Sequence, residues 1–326
     1  MMYRISIYKI GFLFLALSLC AILALRHIPS FYDINDSGRY VAWIESYCLG
    51  EEGYYEDKLE SPSYQLFYSV ATLNCTITEP HTFLFIVALF TPLPFVLFSR
   101  GGCGNFMWSL TFFLSVFSLE LMTNALRQSL GLMLFMFSLA LIKKSKLFAF
   151  VILIVSIFSH PSVAIYSPLF IVMAYNGFVL RVLRHKPYMF LFFSLVVLFL
   201  GVISNYSLFW GQLNFYQSIY MNSLNLSFVL YVTFPVFFVW FTRYVVDYEL
   251  VSFDERFCFF YSLFLIVVTL VFFPAITYRV VFLTFPIYIF IISREGVTKL
   301  SGLCACIGLV IHMSVMMLFS SNRILY

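Results

Sequence analysis

The sequence predicts an all-α fold, a polytopic transmembrane helix bundle of about 11 spans with its N-terminus inside. Three observations predict it. Of 326 residues, 62% are hydrophobic, enough at about 20 apolar residues per span for roughly ten crossings. Charged residues make up only 10%, too few to solvate the surface of a soluble globule of this size. The apolar residues fall in long unbroken runs, which excludes the alternating pattern of a membrane β-barrel. The 42 Phe and 22 Tyr exclude a disordered chain, and a net charge of +4 gives no argument for a nucleic-acid partner. Residues 1–326 read as a single integral membrane domain with little mass outside the bilayer.

Apolar runs between polar breaks give the spans in order: Ile7 to Leu25, Thr82 to Phe98, Phe106 to Thr123, Ala125 to Ile142, Leu147 to Ser159, Ser162 to Phe178, Tyr188 to Ser204, Phe228 to Val246, Phe257 to Pro274, Tyr278 to Ser293 and Leu300 to Ser320. The first lacks a small-residue cleavage site and is read as a retained span, not a signal peptide. Leu147 to Ser159 and Ser162 to Phe178 are alternatively one kinked or re-entrant unit broken at His160 and Pro161.

With the N-terminus inside, 13 of the 19 basic residues fall on the cytoplasmic side, including the clusters Lys143, Lys144, Lys146 and Arg181, Arg184, Lys186; Arg243, Arg294 and Lys299 belong to the same set. Nine of the 15 acidic residues fall in the first outer (periplasmic) segment, residues 26–81. There Tyr40 and Trp43 suggest a helix that Asp33 or Asp36 would cap, and Tyr64, Phe67, Tyr68 and Ala71 recur at helical spacing. A second outer loop, residues 205–227, has no formal charge. Its Trp210, Gln212, Asn214, Tyr216 and Gln217 suit hydrogen bonding and stacking on neutral sugars, or alternatively an interfacial aromatic belt.

Cys48 and Cys75 share the outer segment, where an oxidising compartment could join them. Cys304 and Cys306 read as packing residues, the five histidines form no close pair, and no metal or other cofactor is expected. Gly101, Gly102 and Gly104 read as a tight inside turn without the strand and Lys of a phosphate loop. Asn35, Asn74, Asn205 and Asn225 open N-x-[ST] triplets, which matter only in a glycosylating host.

The informative residues are those the bilayer penalises, because a mid-span charge costs at least about 2.5–3.5 kcal/mol. Arg127 and Gln128 stand one turn into a helix that begins on the outer side, Arg279 stands at the outer mouth of another, and His160 stands at the outer turn beside Pro161. Glu120 is an available ion partner for either arginine. Taken singly, each arginine can be read as snorkelling to lipid phosphate, His160 as a cap, and Asp33 and Asp36 as loop carboxylates. Together they put two guanidiniums and an imidazole at one level beneath an acidic segment. A lipid-linked diphosphate fits that set, since arginine forks match phosphate oxygens bidentately and a polyprenyl tail can lie among Phe-rich helices.

The same residues carry a resemblance. Arg26, the Asp36-x-x-x-Tyr40 pattern, Leu126-Arg127-Gln128 opening a helix, the Lys-rich turn at 143–146, His160-Pro161-Ser162-Val163-Ala164 and Tyr278-Arg279, in that order from Arg26 to Tyr288, resemble the EpsG/Wzy group of polysaccharide polymerases. Members of that group resemble GT-C membrane glycosyltransferases that join undecaprenyl-diphosphate-linked oligosaccharide repeats at the periplasmic face of the bacterial inner membrane. The resemblance implies that Asp36, Arg127, His160 and Arg279 matter, and leaves open which one is the base. The expectation is therefore an O-antigen or exopolysaccharide polymerase in which Arg127 and Arg279 hold the donor diphosphate. Asp36, or Asp33, would activate the acceptor hydroxyl with help from His160. Tyr40, Gln128, Trp210 and Tyr216 are candidate acceptor and sugar contacts. Membrane lipids and a chain-length regulator protein are the expected further partners. The alternatives are a flippase or transporter of lipid-linked oligosaccharides and a membrane O-acyltransferase acting on surface glycans.

Overall fold

The computed structural model describes residues 10–11, 36–49, 80–115, 117–118, 121, 126–175, 226–272 and 274–319. Among them every regular element is an α or 3₁₀ helix, in agreement with the all-α expectation. α1 (Asp36–Leu49) forms where Tyr40 and Trp43 suggested a helix. Its Val41 and Ile44 pack on Phe83, Leu84, Val87 and Ala88 of α2 (Pro80–Phe90), with Tyr40 and Leu130 packed against the same cluster.

Proline breaks two of the expected spans. The run from Thr82 to Phe98 is α2 followed by α3 (Leu93–Phe98), because Pro92 has no N–H to continue the ladder and the chain tightens at Thr91. The Thr91 hydroxyl bonds Val87 O at 3.1 Å and Ser129 Oγ at 2.6 Å. The run from Ser162 to Phe178 is a 3₁₀ turn (Pro161–Tyr166) and then α7 (Ser167–Ala174). The tight glycine turn is present: Gly102, at φ +153°, holds a conformation side chains avoid and starts α4 (Cys103–Phe113). α4 stops ten residues short of Thr123, where the expected span ended. α5 (Leu126–Leu141) and α6 (Lys146–Ser159) match their expected spans within a residue. Ser145 caps α6 by accepting the Phe148 N–H.

The C-terminal half contains α8 (Leu226–Val246), a 3₁₀ turn (Tyr248–Leu250), α9 (Phe253–Phe272), α10 (Pro274–Arg294) and α11 (Lys299–Phe319). α10 is the central helix. Residues 280–293 are buried on every side, and Phe282, Phe285 and Phe290 pack edge-on or tilted against Phe117 and Phe95. The outer helices instead turn apolar side chains outward: Leu147, Phe150, Val151, Ile154 and Phe158 on α6, Phe234 and Phe241 on α8, Leu300, Ile307 and Ile311 on α11. The interior holds polar groups, whose hydroxyls bond back to their own helix carbonyls, as Ser138 does to Phe135 O and Ser293 to Phe290 O. Among the described residues no helix is long and apolar enough to cross a membrane.

Arg243, assigned by sequence to the cytoplasmic side, forms a buried cluster with Asp247 and Glu255. Arg243 is 0% exposed and spends its donors on Glu255 (2.9 and 3.0 Å), Asp247 (2.5 Å), Leu250 O and Gly296 O. Asp247 also accepts from Ser301, whose hydroxyl in turn accepts the Trp108 indole N–H. Burial alone would raise the Asp247 carboxyl; hydrogen bonds from Ser301, Thr298 and Arg243 outweigh it and hold that pKa below its usual value. Nearby, Asn105 donates to Ser293 O and Glu295 O, and Arg294 donates to Leu139 O at 3.2 Å. This clasp ties together the ends of α4, α5, α8, α9, α10 and α11.

Candidate functional site

His160 is placed by its neighbour. Pro161 forces the preceding residue out of the helical region, and His160 adopts φ −154°, ψ 110°, ending α6 and opening the 3₁₀ turn. Its side chain is buried, with Nδ1 at 2.5 Å from the Ser162 hydroxyl. That contact couples the tautomer to the orientation of the Ser162 hydroxyl. A Ser162 proton on Nδ1 leaves Nε2 as the N–H donor, whereas an Nδ1–H directed at Ser162 Oγ leaves Nε2 able to accept a proton.

α5 meets this turn through Gly131. A Cβ there would stand 2.8 Å from His160 Cβ and 3.3 Å from Val163 Cγ2, so only glycine allows the approach, and Ser156 Oγ donates to Gly131 O at 2.7 Å. Arg127 is four residues earlier, one turn outward on the face that meets His160. Its Nε and Nη1 are buried, so the guanidinium is drawn inward. Gln128 is buried beside it, and among the described residues its Nε2 has no hydrogen-bond partner.

α10 meets the same turn through Tyr166, whose hydroxyl bonds Val280 O at 2.9 Å and pairs with Thr284 Oγ1. Position 279 immediately precedes that contact. α5 and α10 are also joined at their inner ends, where Arg294 donates to Leu139 O. Position 127 lies 12 residues back from Leu139 and position 279 lies 15 back from Arg294.

The structure thus brings α5, which carries Arg127 and Gln128, and α10, which carries position 279, against the turn that begins at His160. Tyr40 of α1 is half-buried and, like Leu130 of α5, packs against the small cluster of α1 and α2, and Asp36 opens α1 one turn before Tyr40. Asp33, Glu120, Trp210 and Tyr216 lie outside the described residues, as do the side chains of Asp36 and Arg279. Cys48 is disulfide-bonded, which meets the expectation at one end; Cys75 lies outside the described residues. Cys304 and Cys306 are free, and Cys306 packs with Sγ 3.2 Å from Met107 O, a packing role.

Sequence reading missed Gly131, Tyr166 and Thr284, which set the spacing of the site. Gly131 follows Arg127 at helical spacing, a signal for close approach; Tyr166 and Thr284, inside apolar runs, give none. The order of the elements in this site is that of the motifs along the chain, and the EpsG family model matches residues 9–325. The chain belongs to the EpsG family. No curated protein and no solved structure gives a match. Membership carries a general role in polysaccharide polymerisation, consistent with a glycosyltransferase-like enzyme. The matched region of this EpsG-family chain includes all four motif positions, 36, 127, 160 and 279.

Proposed function

We propose that the protein is a GT-C-like glycosyltransferase of the bacterial inner membrane that joins undecaprenyl-diphosphate-linked oligosaccharide repeats at the periplasmic face. The observation that supports this reading is that α5 and α10, the helices of positions 127 and 279, both pack against the turn that begins at His160. The outward apolar faces of α6, α8 and α11, with charged and polar groups such as Arg243 and Glu255 held inside, support a lipid surrounding.

In this reading the acceptor hydroxyl attacks the anomeric carbon of the donor, the bond from that carbon to the diphosphate oxygen breaks, and the diphosphate leaves. Arg127 and Arg279 neutralise charge that grows on the leaving group, so their stabilisation is greatest in the transition state, and no metal is assigned to that task. Asp36 takes the acceptor proton, with Asp33 as its substitute. His160 orients the hydroxyl, its tautomer coupled to the orientation of the Ser162 hydroxyl. Gln128, with its buried carboxamide, and Tyr40 contact the neutral sugar, and Trp210 and Tyr216 grip the repeat from the outer loop.

Arg127→Ala and Arg279→Ala, each expressed in a deletion strain, test the proposal. Both proteins should reach the membrane fraction at normal levels, and gels of surface polysaccharide should show single repeats on lipid core in place of the long ladder. A normal ladder in both variants, or loss even of the single repeat, refutes it.

A further inference from the structure

The residues assigned to the substrate sit on separate elements, and one side chain touches three of the helices around them. Tyr166 is fully buried. Its ring packs at 6.2 Å from Phe135 of α5 and edge-on at 6.4 Å from Tyr261 of α9, and its hydroxyl binds α10 at Val280 O and Thr284. The Tyr261 hydroxyl donates to Ile165 O at 2.5 Å, pinning the same turn from the other side. A phenol has one proton to donate, so with that proton on Val280 O the Thr284 hydroxyl donates to the phenol oxygen.

The place of this contact on α10 matters because Pro286 lies inside the helix. Proline has no N–H for the carbonyl four residues earlier, Phe282 O, and the helix is weakened between its two ends. The inner end is held by the clasp, through Asn105 on Ser293 O and Glu295 O and Arg294 on Leu139 O. The outer end, which carries Arg279, has Tyr166 as its polar tether to the turn that begins at His160.

We propose that Tyr166 is a positioning residue: its hydroxyl, shared between Val280 O and Thr284 Oγ1, fixes the outer half of a proline-weakened α10 against the His160 turn and so sets the spacing of Arg279 from Arg127 and His160. This rests on the diphosphate reading of the two arginines.

The test compares Tyr166→Phe, Thr284→Val and the double variant in the full-length protein. Tyr166→Phe leaves a buried threonine hydroxyl short of a partner and loses stability; the double variant replaces both partners with apolar groups of similar shape, which restores stability but not the tether. The readouts are membrane-fraction level, thermal midpoint in detergent, binding of undecaprenyl diphosphate and the polysaccharide ladder. The expected result is a double variant with a midpoint near wild type, binding at least fivefold weaker and a shortened ladder. A double variant that binds and polymerises like wild type overturns the proposal, as does one whose activity loss only follows its loss of folded protein. If Arg279→Ala binds undecaprenyl diphosphate as wild type does, the diphosphate reading itself fails and the tether has no substrate contact to position. Wild-type binding that Arg279→Ala weakens and the double variant leaves intact refutes the tether alone.

Discussion

Gly131→Ala tests the closest contact in the site. The added Cβ would stand 2.8 Å from His160 Cβ, 3.3 Å from Val163 Cγ2 and 3.4 Å from His160 N. Carbon pairs settle at about 3.5–4.0 Å, so the turn must retreat by roughly 0.7 Å or more. His160 Cβ is attached directly to backbone, so no rotamer relieves the clash. α6 cannot simply back away either, because Ser156 Oγ is bonded to Gly131 O at 2.7 Å. Overpacking of this kind costs about 1–3 kcal/mol, and alanine's better helix propensity returns about 1 kcal/mol, leaving a net loss of about 0–2 kcal/mol. The effect on activity should be larger than the effect on stability, since a displacement of about 1 Å in a reacting constellation can cost on the order of 100-fold. The assay is polymer formation per unit of membrane-inserted protein, alongside the thermal midpoint of purified protein. Gly11→Ala, with nothing within 4 Å of the added Cβ, is the control and should be neutral or slightly stabilised. A Gly131→Ala protein with wild-type polymer output and midpoint would refute the argument that this contact sets the site.

Three further outcomes follow from the clasp, the disulfide and their charges. Arg243→Met should cost about 3–5 kcal/mol by leaving Asp247 and Glu255 buried without their cation, visible as protein missing from the membrane fraction. Asp247 has a depressed folded pKa, so its contribution is complete above the unfolded value of about 3.9 and is lost as pH falls through the folded value. The stability gap between wild type and Asp247→Asn should therefore hold steady from pH 7 to about pH 4.5 and narrow only below that; a gap that closes between pH 7 and pH 5 contradicts the assignment. Cys48→Ser should abolish the mobility shift produced by reductant on gels, and Cys75→Ser should do the same if the two outer cysteines are partners, each costing about 2–4 kcal/mol.

What sequence could read here divides along a physical line. Helix class and most helix positions were legible because burial in apolar runs and prolines at turns are local signals; α6 and α8 start within two residues of their expected spans. The breaks at Pro92 and Pro161 depended on whether a proline would kink a helix or end it, which the flanking contacts decide. Arg127 and His160 stood out because charge and imidazole are costly among apolar neighbours. Tyr166 and Thr284 did not, because Tyr and Thr inside a hydrophobic run look like ordinary packing until their hydroxyls find each other across 118 residues of chain. Arg243 was legible as a charge but not as a buried one. Its i,i+4 spacing to Asp247 was available on the sequence, whereas the contact with Glu255 depends on the turn at Tyr248–Leu250 that folds α9 back on α8.

The two ends of α10 therefore present different physics to one helix. At the inner end Arg243 is matched by two carboxylates and two carbonyls, a dense ionic clasp in which, among the described residues, Asp247 Oδ1 is left without a partner. At the outer end the polar inventory is unspent: Gln128 Nε2 and Thr277 Oγ1 are buried without partners among the described residues. Buried donors and acceptors left unmade cost about 1–3 kcal/mol each, so they persist in a folded protein only where something else supplies the partner, whether water or substrate. An end clasped by ion pairs, and spare hydrogen-bonding groups on and beside the opposite end, suit the proposed substrate contact. The clasped end ties α10 to α5 through Arg294 and Leu139 O, and the opposite end keeps hydrogen-bonding capacity for a molecule that arrives later.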